Sequence, residues 1–126
     1  MSARHILTVT APAKWLGTNQ RDHFHQRAIA TRTWREAAAW AAKSQRLPKF
    51  GMGPVAIVAT VHRSDARKFD LDGITPTVKA CIDGIRDAGL LLEDHWGVVS
   101  ELTIRRGEPW ADAALVLTIT EQEAVA

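Results

Sequence analysis

The sequence predicts an α/β fold of the α+β type: two layers, a mixed β-sheet with helices packed on it, in the order β-α-β-α-β-β. Three observations predict it. Four segments are rich in apolar and β-branched residues, as strands are. Two segments have the composition and the apolar spacing of helices. The chain has 126 residues, the size of one ordinary domain, so we expect a single domain over residues 1–126.

The first half of the chain contains a strand, a long helix and a second strand. The first strand runs from His5 to Thr10, where apolar and polar residues alternate before a proline. The helix runs from about Asp22 to Ser44, a stretch without Gly or Pro. The second strand, Val55 to Val61, is apolar on nearly every residue, which predicts a central strand buried on both faces. The long helix has one apolar face, made of Ala30, Trp34, Ala37, Ala38 and Ala41.

A second helix begins at a Thr-Pro pair. Thr75 suits the N-cap and Pro76 the first helical position. The helix extends to about Ala88, and Gly89 suits its C-terminal cap. Its core-facing residues are Val78, Ile82 and Ile85.

The last two strands are predicted to form an antiparallel hairpin. They run from Gly97 to Arg105 and from Ala111 to Thr120. The residues between them, Arg106-Gly107-Glu108-Pro109, are typical of a turn.

Composition and charge indicate where the protein acts and on what. The single cysteine excludes an intrachain disulfide, and no apolar run is long enough for a signal peptide or a membrane span, so we expect a soluble cytoplasmic protein. Residues 1–68 carry 12 Lys/Arg and 3 Asp/Glu, whereas residues 69–126 carry 4 Lys/Arg and 11 Asp/Glu. The basic half favours a polyanion such as nucleic acid, and the acidic half favours divalent cations. The alternative is that the fold mixes the two halves and averages their charges.

Acidic residues before and after the second helix have the spacing of a metal site. In extended backbone, Asp70 and Asp72 would lie on one face with α-carbons about 7 Å apart, and two such carboxylates suit Mg²⁺. The helix carries the chain about 20 Å away, and five extended residues return it by about 16 Å. The return brings Asp94 back as a third carboxylate, while Lys79 at the head of the helix would reach a phosphate. The simpler alternative is that these acidic residues serve only solubility or capping.

From Arg67 to Asp94 the residues resemble the RusA family of Holliday-junction resolvases, which includes phage-encoded members. The matching features are the basic approach Arg67-Lys68-Phe69, the Asp70-Leu71-Asp72 motif and Lys79. The likeness continues through Ile82-Asp83-Gly84-Ile85, Ala88-Gly89 and Glu93-Asp94. The last strand and the polar loop Thr18-Asn19-Gln20-Arg21 also resemble the family's.

The resemblance implies a function and a set of site residues. Asp70, Asp72 and Asp94 would be catalytic ligands of Mg²⁺, for which Mn²⁺ can substitute, and Lys79 a catalytic helper. The chain would be a homodimeric endodeoxyribonuclease that resolves four-way DNA junctions by paired nicks in recombination and repair, in the cytoplasm of a bacterial host. The residues expected to bind DNA are Asn19, Arg21, Arg27, Arg67 and Lys68.

Departures from the family pattern leave a second hypothesis open. Gly73 stands where the family usually has Asn, Lys79 lies further from Asp72 than in the shorter family form, and Glu93 replaces an aspartate. The alternative is therefore a structure-selective DNA-binding protein that keeps the fold but does not cleave. A third hypothesis interprets Asp70-Leu71-Asp72 as the nucleotide-sugar motif of a glycosyltransferase, for which the chain is too short.

Overall fold

The protein consists of a four-stranded sheet and two helices, in the predicted order. The structure, a computed structural model, describes residues 4–16, 24–50, 54–91 and 98–122. A short 3₁₀ helix, Leu71–Ile74, leads directly into the second helix. The elements are β1 (Arg4–Thr10), α1 (Phe24–Ser44), β2 (Val55–His62), α2 (Thr75–Asp87), β3 (Val99–Arg106) and β4 (Ala114–Glu121). The predicted α+β fold with a mixed sheet is confirmed.

The sheet has the strand order β1-β4-β2-β3. Strand β4 is antiparallel to both of its neighbours, β1 and β2, whereas β3 pairs with β2 in parallel. The prediction of an antiparallel hairpin between the last two strands is therefore wrong. Strand β2 lies between them, and α2 makes the crossover from β2 to β3 that a parallel pair requires.

The connection from β3 to β4 crosses the carboxyl end of β2. The Trp110 ring stacks on the His62 ring with centroids 3.5 Å apart and an interplanar angle of 8°. The backbone N–H of Trp110 donates to the Arg63 carbonyl at 2.9 Å. A Cβ on Gly107 would lie 2.4 Å from the His62 ring, so glycine allows this connection to pass close to the strand end.

One core lies between the sheet and the two helices. Leu7, Leu117, Ile57 and Trp34 are almost fully buried in it. Strand β2 is central, as predicted, but it is not buried on both faces: Val55, Ile57, Ala59 and Val61 are buried, whereas Ala56 and Val58 are only half-buried. The predicted core residues of α2 are confirmed, namely Val78, Ile82 and Ile85.

The two helices cross in close contact at Gly84. A Cβ on this glycine would lie 2.2 Å from the Arg35 carbonyl oxygen and 2.9 Å from the Ala38 Cβ. Beside the crossing, the Arg35 guanidinium donates two hydrogen bonds to the Asp87 carboxylate, one of them 2.7 Å long. This bond raises the pKa of Arg35 and lowers the pKa of Asp87. The crossing fixes α2, whose amino end follows the acidic motif.

Of the two caps predicted for α2, the structure bears out only the C-terminal one. Gly89 has a φ of +80°, the left-handed conformation expected of a C-terminal glycine cap. The N-cap, however, is Ile74 without a side-chain hydrogen bond, so the prediction of Thr75 as N-cap is wrong. The Thr75 hydroxyl instead donates to the Asp72 carbonyl at 2.8 Å. No helix in the described part of the chain is long and apolar enough to cross a membrane.

Candidate functional site

Asp70 and Asp72 lie on the short segment that connects β2 to α2. Strands β2 and β3 are parallel, and Val61 pairs with Arg106 at their carboxyl ends. In α/β proteins the carboxyl ends of parallel strands are the usual location of ligand sites. The acidic motif therefore follows a strand end where sites are commonly built.

The backbone of the acidic motif is tighter than the sequence predicts. Asp70 is extended, with φ −88° and ψ 117°, but Asp72 lies in the 3₁₀ helix. The Asp72 N–H donates to Asp70 Oδ1 at 3.2 Å, and the Gly73 N–H donates to the Asp70 carbonyl at 3.0 Å. The prediction that both aspartates are extended is wrong for Asp72, because the Asp70 side chain caps a helical turn.

Both carboxylates are available to a ligand. Asp70 and Asp72 are exposed, and neither forms an ion pair with another described residue. The hydrogen bond from the Asp72 N–H occupies one lone pair of Asp70 Oδ1, which leaves the rest of that carboxylate open. Unpaired, exposed carboxylate oxygens suit a hard cation that keeps several of its waters.

The basic residues that precede the acidic motif are exposed. The Arg67 side chain is 84% exposed, with Nε 3.6 Å from Asp65 Oδ2. Lys68 is exposed as well. Because surface ion pairs are weak, Arg67 remains available to an anion.

Two further arginines lie around Phe69, the residue before Asp70. The guanidinium carbons of Arg63 and Arg106 are 5.1 and 6.0 Å from the Phe69 ring centroid. An Arg106 guanidinium N–H also donates to the Ala66 carbonyl at 3.3 Å. We call Arg63, Arg67, Lys68 and Arg106 the basic rim. Arg63 and Arg106 were not among the predicted site residues. Arg106 lies at the end of β3, and this position brings it to the acidic motif only because β3 pairs with β2.

Lys79 lies one residue further from the start of α2 than predicted. It is the fifth residue of the helix, and its Nζ is 3.0 Å from Asp83 Oδ1. The same carboxylate oxygen is 3.9 Å from Arg86. The Lys79 ammonium is therefore held along the helix by an i,i+4 ion pair, which is a weak interaction at an exposed position. The helix start itself offers anions less than expected, because the Thr75 N–H donates to the Asp72 carbonyl.

Three predicted site residues, Asn19, Arg21 and Asp94, lie outside the described residues. Arg27 is half-buried on the first turn of α1, where its carbonyl accepts from the Thr31 hydroxyl at 2.8 Å. Cys81 takes no part in the site: it is fully buried, and burial raises the pKa of its thiol to about 12. The thiol therefore stays protonated at neutral pH.

Metal binding by the described residues alone would rest on two carboxylates. Within residues 4–16, 24–50, 54–91 and 98–122, no group of three or more His, Cys, Asp and Glu side chains is arranged to hold a metal ion. Asp70 and Asp72 nevertheless fit Mg²⁺, which is commonly bound through one or two carboxylates and completed by water and phosphate. Asp94 remains the predicted third ligand.

Comparison with known proteins adds no assignment. No family model matches the chain, and no curated protein matches it.

Proposed function

We propose that this chain is a Mg²⁺-dependent, structure-selective DNA endonuclease that resolves four-way junctions by paired nicks in recombination and repair. The observation that carries the proposal is that two exposed carboxylates, Asp70 and Asp72, lie next to the basic rim. Arg63, Arg67 and Lys68 of the rim share the connection between β2 and α2 with the two aspartates, and Arg106 reaches that connection from the end of β3. Metal-dependent cleavage of DNA uses both features: a cation bound by carboxylates, and cationic groups that hold the phosphate backbone.

In this proposal the carboxylates and the basic rim have separate roles. Asp70, Asp72 and Asp94 would hold Mg²⁺, which supplies polarisation of the phosphodiester and a more acidic bound water. The basic rim, together with Asn19, Arg21 and Arg27, would contact phosphates and so position the DNA. Such contacts make binding strongly salt-dependent.

Lys79 would change its partner when DNA binds. In the described structure its ammonium contacts Asp83, and an exposed i,i+4 pair contributes only about 0.3–0.5 kcal/mol. A phosphate close to the acidic motif offers Lys79 a stronger partner than Asp83. The proposed role is stabilisation of the negative charge that develops on the phosphate during cleavage.

A four-way junction has two-fold related strands, which suits a homodimer with two sites. Each site would nick one strand, and shape and deformability of the junction would supply selectivity. The proposal places the protein in the cytoplasm of a bacterial cell.

The test is the Asp70→Asn variant on a synthetic four-way junction. Asparagine keeps a side-chain oxygen that accepts from the Asp72 N–H, so the 3₁₀ turn is preserved while the negative charge is lost. We expect cleavage in Mg²⁺ to fall by more than about 100-fold, because loss of a metal ligand exceeds the 10- to 100-fold effect typical of outer-shell changes. Junction binding, measured by gel shift in EDTA, should be unchanged or tighter.

Glu36→Gln is the matched control. Glu36 is exposed on α1, so its substitution also removes one negative charge, but on an element that carries neither the acidic motif nor the basic rim. Full cleavage by the Asp70→Asn variant, or an equal loss in the Glu36→Gln control, would contradict the site assignment.

Two observations favour the second candidate, a structure-selective DNA-binding protein without nuclease activity. Among the described residues, the Lys79 ammonium contacts Asp83 rather than Asp70 or Asp72, and Gly73 provides no side chain beside Asp72. This candidate predicts junction binding without cleavage in either Mg²⁺ or Mn²⁺. The same gel assay distinguishes the two functions.

A further inference from the structure

The two edge strands of the sheet, β1 and β3, differ in whether their outer backbone groups have hydrogen-bond partners among the described residues. On the β1 edge, the Gln45 side chain accepts from the Thr8 N–H at 3.0 Å and donates to the Thr8 carbonyl at 2.7 Å, so this edge is partly capped. Strand β3 forms the other edge, and within the described residues no strand pairs with its outer side. Six of its eight residues are exposed, including Leu102 at 45%. An uncapped edge strand is a template for pairing with another chain.

The register of the sheet shows which backbone groups of β3 point outward. Val61 pairs with Arg106, and the Gly107 N–H donates to the Val61 carbonyl at 2.9 Å. In a parallel ladder a residue bonds to the two residues that flank its partner. Residues 103 and 105 therefore bond toward β2, and the N–H and carbonyl groups of Leu102 and Ile104 point to the free edge.

The side chains of β3 are self-complementary about Thr103. If two copies pair in antiparallel fashion with the two-fold axis at Thr103, Glu101 lies opposite the partner's Arg105 on one face. Leu102 lies opposite the partner's Ile104 on the other face. Opposite charges and apolar pairs directly across an antiparallel ladder are both stabilising. The outward-pointing groups of Leu102 and Ile104 then form the hydrogen-bonded pairs, and Thr103 faces its copy in a non-hydrogen-bonded pair.

We infer that the outer edge of β3 is the surface on which two copies of this chain pair, antiparallel and centred on Thr103. The self-complementary charges indicate that the partner strand belongs to a second copy of this chain. Glu101 and Arg105 both lie opposite an unlike charge only if the partner strand has the same order of charges. The pairing joins two sheets into one continuous sheet with a two-fold axis. It goes beyond the proposed nuclease activity and holds without it. The two Arg106 residues would lie about 20 Å apart, six strand residues at about 3.3 Å each, so the two basic rims would lie at opposite ends of the paired strands.

The test is oxidative cross-linking of the full chain carrying Thr103→Cys. Cysteines in a non-hydrogen-bonded antiparallel pair have α-carbons about 4.5 Å apart, within the range of a disulfide. The native Cys81 is fully buried and does not compete. Glu36→Cys, exposed on α1, is the control for collisional cross-linking. We expect the Thr103→Cys variant to form a covalent dimer at least about tenfold faster than the control. Equal rates would overturn the proposal, even if the protein is a dimer by mass.

Charge reversal provides a second, independent readout. Glu101→Arg or Arg105→Glu places like charges opposite each other twice in the dimer, and we expect the dimer Kd from analytical ultracentrifugation to rise about tenfold in each variant. The double variant restores opposite charges and should recover the original Kd. A double variant that dimerises no better than the single ones, or an unchanged Kd in both single variants, would overturn the proposed pairing.

Discussion

The close crossing of α1 and α2 at Gly84 determines whether the variant Gly84→Ala is more or less stable than the wild type. In an isolated helix, alanine is favoured over glycine by about 0.8–1.0 kcal/mol, so Gly84→Ala would stabilise an uncrowded helix. Here the added Cβ would lie 2.2 Å from the Arg35 carbonyl oxygen and 2.9 Å from the Ala38 Cβ. Because the first of these atoms belongs to the backbone of α1, a rotamer change cannot relieve the clash and the helices must separate.

The expected cost follows from these distances. Overpacking a core usually costs about 1–3 kcal/mol, and the upper end applies because backbone must move. After subtraction of the gain in helix propensity, we expect Gly84→Ala to lower the free energy of unfolding by about 2 kcal/mol. For a domain of this size the melting temperature should fall by roughly 5–10 °C.

Thermal and urea unfolding, followed by circular dichroism, measure this effect. Gly89→Ala is the control: its φ of +80° makes alanine unfavourable, but apart from its chain neighbours no atom of the described residues lies within 4 Å of the added Cβ, so we expect a loss of only about 1 kcal/mol. A Gly84→Ala variant as stable as the wild type, or more stable, would refute the close crossing.

Two further variants test the helix ion pair and the basic rim. The Arg35 hydrogen bond lowers the pKa of Asp87, so the stabilisation is present at neutral pH and is lost as the pH falls through the lowered pKa. Asp87→Asn should therefore lower stability at pH 7 by less than about 1 kcal/mol, since the pair is partly exposed, and this penalty should vanish in strong acid; a pH-independent penalty in urea unfolding would contradict the ion pair. Arg106→Gln should weaken junction binding and reduce the slope of log K against log salt by about 1, whereas Arg32→Gln on the exposed side of α1 should do neither. An unchanged slope for Arg106→Gln would exclude a phosphate contact.

The local elements of the fold were predictable because local patterns determine them. The absence of Gly and Pro over α1, the β-branched run of β2 and the glycine after α2 each specify an element through short-range chemistry. The pairing of β3 was not predictable in this way. The residues after it have turn chemistry, but whether the chain turns back beside β3 or crosses the end of β2 depends on contacts of His62 with Gly107 and Trp110, which are distant in sequence.

The candidate site was predicted only in part, because some of its features are local motifs and others depend on contacts between elements. The exposed pair Asp70 and Asp72 is a local motif, and the structure places it on a connection from a strand end to a helix, where a site is expected. The contribution of Arg106 depends on the parallel pairing of β3 with β2, so the incorrect hairpin prediction concealed it. The contact of Lys79 with Asp83 depends on side-chain packing along α2, where the two residues lie one turn apart. The spacing of residues in a motif does not predict such a contact.

The most direct test of the proposed nuclease is cleavage of a four-way junction and of a linear duplex with the same arm sequences, over a titration of Mg²⁺ from zero to about 10 mM. The proposal predicts paired nicks in the junction alone, a dependence on Mg²⁺ and cleavage that is more than about 100-fold weaker in the Asp70→Asn variant. Junction binding without nicking at every concentration of Mg²⁺ or Mn²⁺ would contradict it and would support the DNA-binding protein without nuclease activity.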